Sequence, residues 1–330
     1  MRPHQRASGK SAPAGKRADV PQGVELENGL VVSTHGRHCV VETPEGRRLI
    51  CHPRGKKSEA VVGDHVTWHL TQAQADEGVI VQVEPRKNLL YRQDEWRSKS
   101  FAANIDLLLM WIAVEPVFSE AQLTRALISA ESAEIPVCIV LNKVDLPGAD
   151  QARQRLLPYR GMGYEVVELS LKGDGEHAKA LILPRLKGRA TLVLGPSGAG
   201  KSTLINTLAP HARAEVGEIS QALNSGRHTT THSQWYWVED PDDTHQPDGR
   251  TAVIDSPGFQ EFGLHHIAPT DLARLMPDIG AHTAECRFYN CTHRQEPGCG
   301  VQAAVQRGEI SANRISLYTA LFDELSQTRW

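Results

Sequence analysis

The chain has 330 residues, 40% of them hydrophobic and 23% charged, with a formal net charge of −3 at pH 7. That length supplies two or three domains with real cores, and the charge excludes a globally basic polyanion binder. No apolar run approaches the roughly 18 residues of a membrane span, and the basic N-terminus lacks the apolar stretch of a secretory signal, so a cytoplasmic protein with no membrane partner is expected.

Charge is uneven along the chain. Residues 1–100 carry 16 Lys/Arg against 12 Asp/Glu, a net of +4, which leans toward a nucleic-acid partner. Residues 1–23 are too polar to fold alone and read as a disordered basic tail. Residues 24–90 show short apolar runs at 29–32, 38–42, 48–51, 66–70 and 78–83, separated by turn signals. That rhythm predicts a five-stranded barrel of the oligonucleotide-binding type. Arg37, Arg47, Arg48, Arg54, Lys56 and Lys57 would give it a basic, RNA-binding side. Trp68 reads as core, with base stacking by Trp68 and His69 as the alternative. Residues 91–103 read as a polar linker, and Arg92, Arg97 and Lys99 within it offer a second phosphate contact.

Residues 104–268 alternate between strand and helix patterns. The run 105–114 is a buried parallel strand, covered on both faces. Ser119 and Gln122 have the spacing of a capping box at the start of the next helix. A second buried strand, 136–141, runs into Asn142-Lys143-Val144-Asp145. This is N-K-x-D, a guanine-reading pattern. A carboxylate at Asp145 can accept from both guanine N1–H and the exocyclic amine, donors that adenine lacks on that edge. Asn142 would hold the loop, and Lys143 would lay its stem against the purine. Ser170-Leu171-Lys172-Gly173 stands where a weaker base-contacting loop belongs; Ser170 is the candidate, with backbone amides meeting guanine O6.

Gly195-Pro196-Ser197-Gly198-Ala199-Gly200-Lys201-Ser202 then matches G-x-x-x-x-G-K-[ST] at every fixed position, between an apolar strand and the helical run from Thr203. Its glycines let the backbone curl around phosphate, with the amides and the helix N-terminus facing the anion. Lys201 would reach the β and γ phosphates and Ser202 would ligate Mg2+. In the loop Gly226-Arg227-His228-Thr229-Thr230-Thr231-His232, Thr230 or Thr231 is the expected second Mg2+ contact. Asp255-Ser256-Pro257-Gly258 is a D-x-x-G element. Asp255 would hold Mg2+ through water, and the Gly258 amide would sense the γ phosphate. Gln260 follows as one candidate for positioning water.

Residues 269–330 carry Cys286-x4-Cys291-x-His293-x5-Cys299, three sulfurs and one imidazole within 14 residues. That is the ligand set of a closed structural Zn2+ site, with His282 as an alternate ligand. The surrounding loop is polar, so the metal would replace a core that the segment lacks. A helix is expected over 270–276, and an amphipathic one over 311–326 with Ile315, Tyr318, Phe322 and Leu325 on its apolar face. Arg287, His293, Arg294, Arg307 and Arg314 are further candidates for RNA contact.

The base-reading element precedes the P-loop and the switch elements come last, whereas an ordinary small GTPase starts with its P-loop. In this order, and in its barrel, Gly226–Thr231 stretch and cysteine cluster, the chain resembles the bacterial circularly permuted, small-ribosomal-subunit-dependent GTPases (the ribosome biogenesis GTPase A family) over about residues 25–330. The resemblance implies an N-terminal barrel, a circularly permuted α/β P-loop GTPase fold and a mostly helical zinc-binding C-terminal domain. It implies slow GTP hydrolysis to GDP and phosphate, stimulated by the 30S subunit and its 16S rRNA, in late maturation and checking of that subunit. It also implies that an apolar residue, here Phe259, replaces the usual catalytic glutamine and that the switch-loop His228 acts beside Lys201 instead. A monomer is expected. The alternative is a GTP-regulated RNA-binding switch that does not act on the ribosome.

Overall fold

The computed structural model describes residues 24–36, 38–53, 60–71, 77–94, 98–210, 233–238, 249–257 and 262–327. The chain divides into two compact units, residues 1–87 and 88–330.

In the first unit, alternating apolar residues curl a five-stranded sheet shut. Its strands are β1 (Glu27–His35), β2 (His38–Glu42), β3 (Arg48–Pro53), β4 (His65–Leu70) and β5 (Glu77–Val83). β1 pairs antiparallel with β2 and β4, β2 with β3, and β4 with β5, while β3 and β5 run parallel. The ring closes in the order 1-2-3-5-4, and closure removes the exposed edges. Val31, Val41, Leu49, Val66, Trp68 and Ile80 fill it. Trp68 is only 1% exposed, so it is core and cannot stack on a base. His69 is also buried, with Nδ1 2.8 Å from the Leu70 carbonyl. Space for the indole comes from Gly78, where a Cβ would lie 2.6 Å from the Trp68 ring and 2.8 Å from Cys51 Sγ. Cys39 faces Cys51 across β2 and β3. Burial pushes these thiols up to about 11 and about 12, so they stay protonated and inert.

The second unit begins with a hairpin, β6 (Leu89–Gln93) against β7 (Ser98–Ala103). Residues 91–103 are therefore more than a connection: Phe101, Ala102 and Ala103 are buried, as is Leu90. A six-stranded sheet follows in the spatial order β10 (Glu165–Glu168), β9 (Val137–Asn142), β8 (Leu107–Ala113), β11 (Ala190–Leu194), β13 (Ala252–Asp255) and β12 (Gln234–Trp237). All pairs are parallel except β12 with β13. Every residue of β8 is buried, as a central parallel strand requires. Its odd-numbered residues pack with α3 (Gly175–Leu186) and α4 (Lys201–Leu208), so its even-numbered residues face the other side. Ser119 caps α1 (Glu120–Ser132), its hydroxyl accepting from Gln122 N at 3.3 Å. α2 (Ala149–Gly161) meets α1 where the Thr124 and Tyr159 hydroxyls lie 3.4 Å apart.

Beyond residue 268 the expected helix over 270–276 gives way to a 3-10 turn at Pro269–Asp271 and a single α-helical turn at Pro277–Gly280. Two helices follow, α5 (Gly300–Gln306) and α6 (Ala312–Ser326). Tyr318 and Phe322 of α6 are buried as the periodicity requires, but Leu321 and Arg314 join them while Ile315 and Leu325 stay partly exposed. Arg314 is not available to RNA. Its guanidinium grips Asp278 at 2.6 and 2.9 Å and donates to Thr124 Oγ1 at 2.8 Å. Arg125 of α1 in turn pairs with Glu324 of α6 and donates to the Phe262 carbonyl at 3.3 Å. No helix among the described residues is long and apolar enough to cross a membrane.

Because Trp68 is the largest side chain in the barrel core, Trp68→Ala is expected to cost about 3–5 kcal/mol. Hydrogen exchange of the full chain locates the loss: protection should fall across β1 to β5 and persist in β8 to β11, and unchanged barrel protection would contradict this packing.

Candidate functional site

The C-terminal ends of β9, β11 and β13 come together at one edge of the parallel sheet, the side on which such sheets bind ligands. From β11 the chain enters Gly195–Ser202 and leaves it as α4. Two requirements explain the glycines. A Cβ on Gly195 would lie 1.9 Å from the Trp111 carbonyl oxygen of β8. Gly198 and Gly200 take φ values of +79° and +104°, a left-handed backbone that other residues adopt at a cost. Pro196 is partly buried, Ser197 and Gly198 are exposed, and Ala199 is buried.

Lys201 is 8% exposed. Its ammonium donates to the carbonyls of Gly195 at 2.7 Å and Pro196 at 2.9 Å. Desolvation lowers its pKa, partly opposed by the nearby Asp255 carboxylate. An anion in the loop would relieve that cost. Ser202 is exposed at the first turn of α4, and Thr203 N donates to the Gly200 carbonyl at 3.1 Å. Asp255 ends β13, 4% exposed and in register with Val193 of β11. The Ser256 hydroxyl ties the same two strands together, donating to Val193 O at 2.7 Å.

The N-K-x-D element lies directly against this loop. Asn142 Nδ2 donates to Ala199 O at 2.9 Å, and Asn142 Oδ1 accepts from Leu171 N at 3.1 Å. Lys143, at φ +62°, turns back so that its ammonium reaches Gly198 O at 2.9 Å and Glu115 O at 2.5 Å. Asp145 projects into solvent and accepts a hydrogen bond from the Ser170 hydroxyl. Ser170 Oγ in turn accepts from Gly173 N at 3.1 Å. Of the remaining candidates, His228, Thr230, Thr231, Gly258 and Gln260 lie outside the described residues.

A second constellation stands near the C-terminus. The ligating atoms of Cys286, Cys291, His293 and Cys299 all lie within 4.8 Å of one another. Cys286 Sγ is 3.3 Å from His293 Nδ1 and 3.9 Å from Cys299 Sγ. His293 takes φ +60°, which turns its ring among the sulfurs. The amides of Gly300 and Gln302 point at Cys286 and Cys299 at 3.3 and 3.5 Å. Glu296 braces the loop by accepting from the amides of Thr292, Arg294 and Gln295 at 2.7, 3.0 and 3.2 Å. Four converging soft ligands fit a tetrahedral metal ion. His282 is not among them; it lies between Glu285 and Glu309.

On the barrel, Arg47 is exposed. Arg48 is not a surface charge of the same kind: its side chain is 13% exposed and pairs with Glu42 at 2.7 Å. Arg37, Arg54, Lys56 and Lys57 lie outside the described residues.

The sequence model of the family described as RsgA GTPase matches residues 83–265, more than half of the chain. The chain belongs to the RsgA GTPase family. A relative from Variovorax paradoxus (strain S110), a small ribosomal subunit biogenesis GTPase RsgA, is 60% identical over 310 residues, covering 92% of this chain and 94% of its own. One of the same name from Burkholderia pseudomallei (strain K96243) is 49% identical over 321 residues, covering 96% and 99%. Among solved structures, YjeQ from Thermotoga maritima aligns with a TM-score of 0.67 at 31% identity, over 92% of this chain and all of that one. YloQ, described as a circularly permuted GTPase, aligns at 0.65 and 25% identity, over 95% and 100%. The family accounts for the permuted motif order: a permuted GTPase fold keeps its strand neighbours while the chain enters the sheet at a different point.

The backbone contact at Gly195 makes a direct test. Gly195→Ala forces β8 and β11 apart, and overpacking of this kind costs about 1–3 kcal/mol or more. The melting temperature should fall and affinity for a fluorescent GDP analogue should drop about tenfold or more. An alanine variant that binds as tightly as the parent would show that the two strands are not this close.

Proposed function

We propose that this GTPase acts in maturation of the small ribosomal subunit, binding the 30S particle and its 16S rRNA as a cytoplasmic monomer and leaving after hydrolysis. The naming of relatives at 60% and 49% identity over nearly the whole chain supports the target. The observation that carries the nucleotide assignment is the convergence of two loops on one another: Asn142 and Lys143 both hydrogen-bond to carbonyls of the P-loop. Asp145 then reads guanine, held by Ser170, while the amides of 195–203 and Lys201 take the phosphates.

Hydrolysis follows from positioning and charge. Lys201 exchanges its two carbonyl partners for phosphate oxygens. Ser202, Asp255 and Thr230 or Thr231 would hold Mg2+, which neutralises charge on the transferring phosphoryl group when bound. His228 orients the attacking water once rRNA fixes its loop, and the Gly258 amide reports the γ phosphate. The order of the motifs sends the chain from that sensor straight into residues 262–327. Cys286, Cys291, His293 and Cys299 hold one structural Zn2+, because all four ligands come from the protein and leave no open position. The barrel, with Arg47 and the basic residues of 37–57, meets the rRNA backbone; residues 104–268 form the GTPase domain and 269–330 the zinc-binding domain.

Adding purified 30S subunits should raise the GTP hydrolysis rate about tenfold or more. His228→Ala should keep GTP binding and lose most of that stimulation; equal stimulation in the variant removes His228 from the mechanism, and no stimulation of the parent removes the ribosomal role. Elemental analysis should give about one zinc per chain. Cys291→Ser should lower both zinc content and the melting temperature of the C-terminal segment, whereas a fully stable zinc-free variant would make the cluster an ordinary buried group of thiols.

A further inference from the structure

The nucleotide pocket contains a side chain that none of the GTPase motifs includes. Trp111 is fully buried in β8, a strand of otherwise purely apolar side chains. A buried indole N–H must find an acceptor, and the other side chains of β8 offer no oxygen. Trp111 finds one outside it: Nε1 donates to the Ala199 carbonyl at 3.0 Å. The same carbonyl accepts from Asn142 Nδ2 at 2.9 Å. One oxygen has two lone pairs, and here both are occupied.

The geometry points to Trp111 as a positioning residue that presets the phosphate loop. The peptide unit joining Ala199 to Gly200 is planar and trans, so its carbonyl and its N–H point in opposite directions. Holding the Ala199 oxygen inward aims the Gly200 amide outward, toward the side where a phosphate must approach. The left-handed φ of +104° at Gly200 continues that turn into α4. Two further contacts show how closely Trp111 shapes the loop. Its backbone oxygen excludes any Cβ at Gly195, and its indole nitrogen would lie 3.5 Å from a Cβ at Gly200. Trp111 thus touches the loop at its first and last glycines and at the residue between the last two. Asn142 alone would leave the peptide one anchor, donated from the base-reading loop. With Trp111 the second anchor comes from the central strand of the sheet, which does not depend on a bound base. Trp111 touches no nucleotide itself; it acts through the peptide it holds.

This inference rests on the nucleotide reading of residues 195–202, and the test separates the two. Dissociation constants for GDP and GTP are measured on the full chain, alongside the melting temperature of the nucleotide-free protein and turnover at saturating GTP. Trp111→Phe keeps an aromatic body and removes the donor. Replacing Trp111 with 3-benzothienylalanine keeps the full bicyclic volume and exchanges N–H for sulfur, so it decides the matter if the Phe variant does not fold. Both changes should weaken GDP and GTP alike by about 3–10-fold, the range one neutral hydrogen bond supplies. The loss should fall on affinity rather than on turnover at saturation. A packing role alone would lower the melting temperature of the Phe variant and leave the affinity of the isosteric variant within about 1.5-fold of the parent, and that result would overturn the proposal. A parent chain that binds neither nucleotide would instead bring down the reading of the loop, and the proposal with it.

Discussion

A single carbonyl oxygen, that of Ala199, joins the two halves of the nucleotide pocket. It receives Asn142 from the N-K-x-D loop and Trp111 from the central strand. Neither loop has regular structure of its own to hold it there, and a loop that must grip an anion gains from having little freedom to lose. Lys143 adds a parallel tie to Gly198. Through Asn142 Oδ1 the same chain of contacts extends to Leu171 and the Ser170–Asp145 pair. The N-K-x-D loop and the glycine loop are therefore one hydrogen-bonded unit, although more than fifty residues of chain separate them. The permuted order is compatible with this because the contacts depend on which strands are neighbours and not on which comes first.

Much of this was legible in the residues because the relevant chemistry is local. A phosphate loop needs its glycines at fixed intervals, and Gly198 and Gly200 have the left-handed backbone that explains them. The cysteine and histidine spacing likewise brings four ligands together without help from distant segments. The barrel strands followed from alternation. What escaped was decided by register and pairing. Trp111 looks like any large residue in a buried strand until Gly195 is placed opposite it. The β6–β7 hairpin was hidden by Arg92 and Lys99, whose charges make a short strand read as a connection. Arg48 and Arg314 look like surface charges in the sequence because their partners, Glu42 and Asp278, are identifiable only once the chain has folded.

The metal cluster and the barrel solve the same problem by different means. Each is a small body that must close on itself. The barrel does so with a tryptophan in its centre and glycine opposite to make space. The cysteine loop is too short and too polar for that, and four ligands plus the bracing carboxylate of Glu296 take the place of a hydrophobic centre.

Arg314 bears on how far the molecule can be divided. Its charge is buried where α6, α1 and the 277–280 turn meet, compensated by Asp278 and steadied by Thr124. Deleting α6 would strand the Asp278 carboxylate without its counterion and open a void beside α1, a loss far greater than that of a few surface contacts. The terminal helix is thus a wall of the catalytic body rather than an appendage, and a shortened chain that stops at the end of the nucleotide motifs would not be a minimal enzyme.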